Sequence, residues 1–419
     1  MNFDEHTWQE SAWHRIRHTL FCPETGLIYD YVTSRDHSRR FAHLPSPEEI
    51  APYAVGSVVF VIPYSELAGV IKDEYIPNSA PRGGEDALSL SQGARLVAEG
   101  LIRCAEVHGT PGFVARGISP RDRRSCYGNS SRDQFTLATY GMWRFLTGGG
   151  AIPEGLRQRG TTFLRSVANY CERIVTPANA CNLMRLDGGP AIVSTMWNCA
   201  PHEMLRLPMI YGIAADVTGE PRYYELMRRY AAAGLRETLT MNPEADWWDM
   251  PIIQMQLSLN FFAESGTAPE LESGVRRAMH TAAAIACPRL LALLREAEEF
   301  DGDWGMLYDN WRQLPMKVTP VTLAPDGGSA LFGGRSYLNP VFRDEYARPN
   351  ALLRGIGNYL AAIAHCDDFP FPETLLERTS RLLRRIDFSR CAGVGILPLL
   401  YGYTVITHRK FQLQDSVIL

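Results

Sequence analysis

Groups that could do chemistry recur at the starts of the apolar helices that this sequence predicts. They are Glu85 and Asp86, then Arg132, Asp133 and Gln134, then Trp197, Asn198 and His202, then Trp247, Trp248 and Asp249, and finally Arg348. Paired carboxylates supply a general acid and a general base when their surroundings push their pKa values apart. Helix N-termini add a positive potential that suits an anionic ligand. If the helix starts converge, they form a site for acid–base chemistry.

Each of these residues also has a purely structural interpretation. An Asp in the first turn of a helix, such as Asp133 or Asp86, is favoured by capping and by the helix dipole. Trp247 and Trp248 fit a hydrophobic core, although adjacent indoles cannot face the same side of a helix. His202 is either a satisfied histidine or a ligand-binding one. If these residues lay together at one end of the molecule, a functional interpretation would be favoured over the structural one.

Several familiar catalytic motifs are lacking. His202-Glu203 starts an HExxH-like pattern, but Arg206 stands where the second histidine would be, so no zinc peptidase is expected. The sequence has no Walker-type loop, no GxSxG elbow and no strand–GxGxxG–helix unit. The Asp367-Asp368 pair is interpreted as solvated acidic residues between a helix and a proline turn. We therefore predict neither a metal nor a cofactor.

Helices dominate the chain from about residue 85 onward. Periodicity and turn residues predict an N-terminal helix at 4–20 and further helices near 85–108, 131–146, 153–177, 203–218, 221–238, 249–263, 269–299, 349–366, 371–386 and 391–405. Short turns make neighbours antiparallel. Helices that are apolar all round alternate with helices that have one charged face, as in an inner and an outer ring.

This alternation predicts an all-α fold, a single (α/α)6 toroid over residues 1–419. Residues 21–84 are predicted to form strands and loops, and 300–346 an insertion. A helical solenoid uses the same hairpins without closing and is the competing architecture. The long non-helical segment and the insertion favour the toroid.

The composition of the chain makes some classes of binding partner less expected. The net charge of −4 lacks the basic excess typical of nucleic-acid binders. No apolar run is long enough to cross a membrane, and the N-terminus has no signal-peptide core. Nine cysteines without CxxC pairs suggest reduced thiols. We expect a cytoplasmic protein that binds neither nucleic acid nor membrane and that could form a homo-oligomer.

One set of segments resembles a known family. The order GGED, GFVARG, NSSRDQFTLATYGMWRF, MWN…HE…RLPMIYGIA and VTGEPRYY is similar to the six-hairpin glycosidase superfamily, in particular the unsaturated glucuronyl and rhamnogalacturonyl hydrolases. The resemblance spans residues 85–405 in architecture. It implies that Asp86 and Asp133 correspond to the two Asp residues that face the uronic sugar, although Asp133 stands in an Arg-Asp-Gln context that departs from the family.

The resemblance implies a glycoside hydrolase acting on uronic-acid-containing oligosaccharides. Asp133 would transfer the proton and Asp86 would orient the sugar, while Arg132, Arg116 or Arg348 would bind its carboxylate. A polysaccharide lyase on the same toroid is one alternative, with His202, Tyr127, Asn198 and Arg132 as its candidates. A non-catalytic sugar-binding protein is another.

Overall fold

The computed structural model describes most of the helical part of the chain. It covers parts of 8–41, then 90–242, 249–302, 304, 348–391 and 395–417, with short gaps at 116, 119–122, 125, 127 and 149–151. The predicted N-terminal helix is therefore only partly described. Residues 42–84 of the N-terminal segment, residues 85–89 of the helix predicted at 85–108 and most of the 300–346 insertion lie outside the described residues.

The described chain is mostly helical, which confirms the all-α prediction. Its longer helices are α1 (Leu90–Glu106), α2 (Arg132–Thr147), α3 (Glu154–Ile174), α4 (Arg206–Thr218), α5 (Pro221–Thr238), α6 (Asp249–Glu264), α7 (Glu272–Glu299), α8 (Arg348–Ala364), α9 (Glu373–Leu383) and α10 (Ile396–Val417). None of the described helices is both long enough and apolar enough to span a bilayer.

Among the described residues, six short strands form three antiparallel pairs. In the predicted strand-and-loop segment, β1 (Phe21–Cys22) pairs with β2 (Leu27–Ile28), and β3 (Tyr31–Val32) pairs with β4 (Arg40–Phe41). The third pair, β5 (Asn182–Met184) with β6 (Pro190–Thr195), was not predicted from the sequence. Its signal is the Asp-Gly turn before a β-branched run, which is typical of a hairpin.

The burial of the helices matches the pattern of apolar and charged residues in their sequences. In α4 every residue from Arg206 to Ala215 is buried, whereas α5 buries one face and exposes its charged residues. Helix α4 packs against α2, α3, α5 and α6. A helix that is apolar on all sides is stable only when other helices surround it. Helix α4 is therefore an inner helix, and α5 lies at the surface.

Helices α2 and α4 run in the same direction. Near their C-terminal ends, the Trp143 indole of α2 donates to Asp216 of α4 at 2.8 Å, and the Tyr140 hydroxyl donates to Asn260 of α6. At the opposite end, Arg206 at the start of α4 contacts Asp133 at the start of α2. Because α2 and α4 are in contact at their starts and again near their C-terminal ends, they are parallel. Helix α6 contacts α2 near the C-terminal end of α6.

The C-terminal helices pack closely because glycines line their contact. A Cβ at Gly402 of α10 would lie 2.5 Å from the Ala361 nitrogen of α8, and one at Gly357 of α8 would lie 2.6 Å from the Leu399 nitrogen of α10. Trp8 in the N-terminal helical residues stacks edge-on against Tyr403 of α10, with ring centroids 5.2 Å apart. The described N-terminal helical residues thus pack against the last helix, α10.

Candidate functional site

A network of ion pairs joins the starts of α2 and α4. Arg206, the first residue of α4, donates from Nη1 to Asp133 Oδ1 at 2.6 Å and from Nη2 to Glu203 Oε1 at 3.3 Å. Glu203 belongs to a one-turn 3-10 helix, Pro201–Glu203, and its Oε1 also pairs with Arg132 Nη2. Two guanidinium groups and two carboxylates are therefore bound into one cluster, the Arg206 cluster.

The four members of this cluster differ in their exposure to solvent. The side chains of Arg206 and Glu203 are 1% and 5% exposed, whereas those of Arg132 and Asp133 are 18% and 29% exposed. A buried charge is tolerated only when it is paired and hydrogen-bonded. Arg206 and Glu203 thus form the fixed base of the cluster, and Asp133 is the carboxylate that a ligand could reach.

Desolvation acts on the cationic groups of the cluster. Burial lowers the pKa of Arg132, and repulsion from Arg206 lowers it further, while Glu203 and Asp133 oppose the shift. Because the two positive and two negative formal charges of the cluster cancel, Arg132 is not an unpaired cation. Its interaction with an anionic ligand competes with its ion pair to Glu203.

His202 lies beside the cluster as a neutral imidazole. Burial, followed by the charges of Arg206 and Arg132, lowers the pKa of His202 from 6.5 to about 4. Its Nε2 lies 3.9 Å from Glu203 Oε1, which would be an ion pair only if the ring were protonated. At neutral pH the ring can therefore accept a hydrogen bond or a proton but adds no charge to the site.

This lowered pKa predicts a pH-dependent stability. Between about pH 4 and pH 6.5 the unfolded chain protonates its histidine and the folded chain does not, so the free energy of unfolding rises with pH across this window. With 22% of the side chain exposed, we expect a contribution on the order of 1–2 kcal/mol. Urea unfolding of the wild type and of His202→Gln across this range measures it.

The free energy of unfolding of the wild type minus that of His202→Gln should increase with pH across this range. His108, whose pKa burial also lowers, is present in both and cancels in the difference. A difference that does not change with pH would contradict the lowered pKa of His202.

Three buried N–H donors near the start of α2 have no acceptor among the described residues. They are Arg132 Nε, Gln134 Nε2 and Arg206 Nε. Unsatisfied buried donors are rare and call for water or a ligand. Gln134 accepts a hydrogen bond from the Ser131 hydroxyl through its Oε1. Gln134 is one of the predicted site residues, and its side chain is fully buried at the start of α2. Its role in binding substrate stays a prediction.

The start of α2 has no capping hydrogen bond from its N-cap side chain. Ser131 is the N-cap residue, but its side chain makes no capping hydrogen bond, and the Ser130 hydroxyl donates to the Val114 carbonyl at 2.5 Å. Asp133 likewise points to Arg206 rather than to the helix backbone. The side chain of Asp133 is therefore oriented by a tertiary contact instead of a local cap.

The segment before the 3-10 turn contributes one aromatic ring. Trp197 packs edge-on against Tyr230 of α5 with ring centroids 4.6 Å apart and is half-buried. The exposed Asn198 takes a left-handed conformation with φ of 56°, which Asn tolerates better than most residues. Burial raises the pKa of the following thiol, Cys199, to about 11, so this cysteine is not a reactive thiolate.

Sequence reasoning missed the two most buried members of the cluster. Arg206 entered only as the residue that spoils an HExxH pattern, and Glu203 only as the neighbour of His202. The sequence does carry a signal for both residues. Two charged residues three positions apart inside an apolar run are typically buried only as a pair. Thr195 of β6, whose carbonyl accepts from Arg132 Nη1 at 3.4 Å, was missed together with its hairpin.

Other predicted site residues are not placed beside Asp133. Glu85, Asp86, Trp247 and Trp248, with Arg116 and Tyr127, lie outside the described residues. Asp249 and Arg348 are the first residues of α6 and α8, but only their backbone is described. The structure thus brings together Arg132, Asp133 and His202, and the pairing of Asp133 with Asp86 stays a prediction.

Comparisons with protein-family models, with curated proteins and with solved structures gave no match.

Proposed function

We propose that this protein is a glycoside hydrolase that acts on uronic-acid-containing oligosaccharides at the mouth of an (α/α)6 toroid. The observation that carries the proposal is the position of Asp133, a partly exposed carboxylate that Arg206 binds at 2.6 Å where α2 and α4 begin. A carboxylate with a fixed orientation and access to solvent is what proton transfer to a glycosidic substrate requires.

The direction of the inner helices supports a toroid. Helices α2, α4 and α6 meet near their C-terminal ends, and the ring of His365, directly after α8, lies edge-on to Tyr140 of α2 with centroids 6.1 Å apart. In a toroid the inner helices are parallel, and their starts surround one opening. The contact of Trp8, in the N-terminal helical residues, with Tyr403 of α10 is consistent with closure.

The residues of the Arg206 cluster have different roles in this proposal. Asp133 transfers the proton, and Asp86 is its partner and orients the sugar. Glu203 is too buried to meet substrate and acts as a positioning residue, because it binds both Arg206 and Arg132. Arg132, at the edge of the cluster, offers positive charge to the uronate carboxylate, and Trp197 and Asn198 border the opening.

The proposal predicts that Arg132 determines charge specificity. Arg132→Ala should lower kcat/KM for a uronide. The loss should correspond to about 1.5–3 kcal/mol of transition-state free energy, the usual value of a charge-assisted hydrogen bond. The same change should affect a neutral glycoside less, because the loss of the Glu203 ion pair is common to both substrates. Steady-state kinetics on a matched uronide and neutral glycoside give the two values, and equal losses would remove the basis for uronate specificity.

A polysaccharide lyase is the second candidate function, and the neutral imidazole of His202 favours it. A lyase needs a His or Tyr base beside groups that neutralise the uronate carboxylate, and His202 lies next to Arg132 and Arg206. With a pKa near 4, however, His202 is a weak base at neutral pH. The hydrolase therefore remains the better-supported function.

Ultraviolet absorbance distinguishes the two reactions. An unsaturated uronyl disaccharide should lose its double-bond absorbance in the presence of a hydrolase, whereas a uronate polysaccharide should gain that absorbance in the presence of a lyase. Saturated uronides are followed by the release of reducing ends. No change with any of these substrates, together with sugar binding that survives Asp133→Asn, would indicate a binding protein instead.

A further inference from the structure

A second group of polar side chains lies where α7 contacts the end of α8. His280 Nε2 is 2.8 Å from Asp368 Oδ1, and the Cys366 thiol donates to the same oxygen at 3.5 Å. The ligand atoms of the three side chains all lie within 4.8 Å of one another. None of them belongs to the Arg206 cluster, and the proposed hydrolysis does not use them.

These distances suit a tetrahedral ion. Zinc bonds of about 2.0–2.3 Å to nitrogen, oxygen and sulfur place tetrahedral ligand atoms roughly 3.3–3.7 Å apart. The observed 2.8 Å and 3.5 Å contacts are hydrogen bonds through protons that a cation would replace. The Asp368 and His280 side chains are 54% and 40% exposed, so they have room to move apart around an ion.

The surrounding structure positions the three ligands. His280 lies within α7, and the ring of Phe369 packs against its imidazole with centroids 5.9 Å apart. Cys366 is 2% exposed, and backbone hydrogen bonds from Cys366 to Ile363 and from Phe369 to Cys366 fix the turn after α8. The buried thiol is therefore on the inner side of the group, and the two exposed ligands are on the outer side.

The two adjacent aspartates make different close contacts. Arg276, one turn before His280, lies 3.8 Å from Asp367 and 3.1 Å from Glu272. Asp368 also interacts with the charge of Arg276, but its close contacts are the His280 imidazole and the Cys366 thiol. This difference provides a matched control.

We propose that His280, Cys366 and Asp368 form a binding site for a divalent transition-metal ion of the zinc type. Sulfur and imidazole donors select such ions over magnesium and calcium, which prefer oxygen ligands. Three protein ligands leave a fourth tetrahedral position for water. Binding requires the thiolate and so releases a proton from Cys366.

Cobalt(II) tests the site with a signal that a surface histidine cannot give. Titration of the full-length protein with Co²⁺ should produce a thiolate-to-cobalt charge-transfer band that saturates at one equivalent and disappears when Zn²⁺ is added. Cys366→Ser should abolish this band. His280→Gln and Asp368→Asn should weaken binding at least about tenfold, because the loss of even an outer-shell partner costs about 10–100-fold in affinity.

Two control variants should leave the titration unchanged. They are Asp367→Asn, which removes the neighbouring carboxylate, and Cys287→Ser, which removes a cysteine of α7 outside the group. Because Cys366 is buried and its replacement could affect folding, the exposed His280→Gln provides the decisive variant, with circular dichroism confirming its fold. Cobalt binding without the thiolate band, or binding that His280→Gln and Asp368→Asn leave intact, would overturn the proposal.

Discussion

Replacement of Arg206 by leucine is expected to lower the free energy of unfolding by about 3–5 kcal/mol, the usual cost of breaking a buried ion pair. Arg206 is 1% exposed and binds both Asp133 and Glu203. Without it, Glu203 keeps Arg132 as its one guanidinium partner among the described residues, and Asp133 loses the contact that orients it. Urea or thermal unfolding of the variant, with matched measurements on the wild type, gives the value.

Two further variants show whether burial causes this loss. Arg159→Ala removes an ion pair to Glu106 whose side chains are 47% and 54% exposed, and it should cost no more than about 1 kcal/mol. Arg206→Lys keeps the charge but cannot reach both carboxylates with the same fork geometry, so its loss should be intermediate. If Arg206→Leu were as mild as Arg159→Ala, the cluster would not be what fixes the start of α4.

Asp133→Asn is expected to lower kcat by about 10²–10⁴-fold, the usual contribution of general acid–base catalysis. The asparagine oxygen can still accept the hydrogen bond from Arg206, so the side chain keeps its place and the protein should fold. The amide cannot exchange a proton with substrate. Steady-state kinetics should show the loss in kcat, and calorimetry should show that sugar binding is retained.

Asp216→Asn is the matched control for this experiment. Asp216 lies near the other end of α4 and accepts from the Trp143 indole, a contact that asparagine also makes. Its replacement should leave kcat unchanged. Asp86→Asn should also cost activity, with part of the loss in substrate binding. A fully active Asp133→Asn protein would refute the assignment and move the search for the acid to Glu85, Asp249 and His202.

Helix positions were largely predictable because they depend on local pattern. The apolar spacing and the proline at its start placed α5 at 221–238, which is where the structure has it. The predicted start of α4 at 203 was early, because Pro201–Glu203 form a separate 3-10 turn and α4 begins at Arg206. The hairpin of β5 and β6 was missed because it is short and lies between long helices.

The candidate site was predictable only in part. The polar residues at the helix starts identified Arg132, Asp133 and His202, and the structure places all three together. The role of each residue at these helix starts was harder to predict from the sequence. Gln134 shares the first turn with Asp133 but is fully buried, since successive residues of a helix point in different directions relative to the core.

The sequence by itself determined where helices form and which of their faces are apolar, because helix periodicity is a property of neighbouring residues. Only the tertiary structure decided that Arg206 binds an Asp 73 residues away and that His202 stays neutral. Coulomb attraction and desolvation depend on distance and burial in the folded chain. Two charged residues acquire their partners, and an imidazole its pKa, only when the helices have packed.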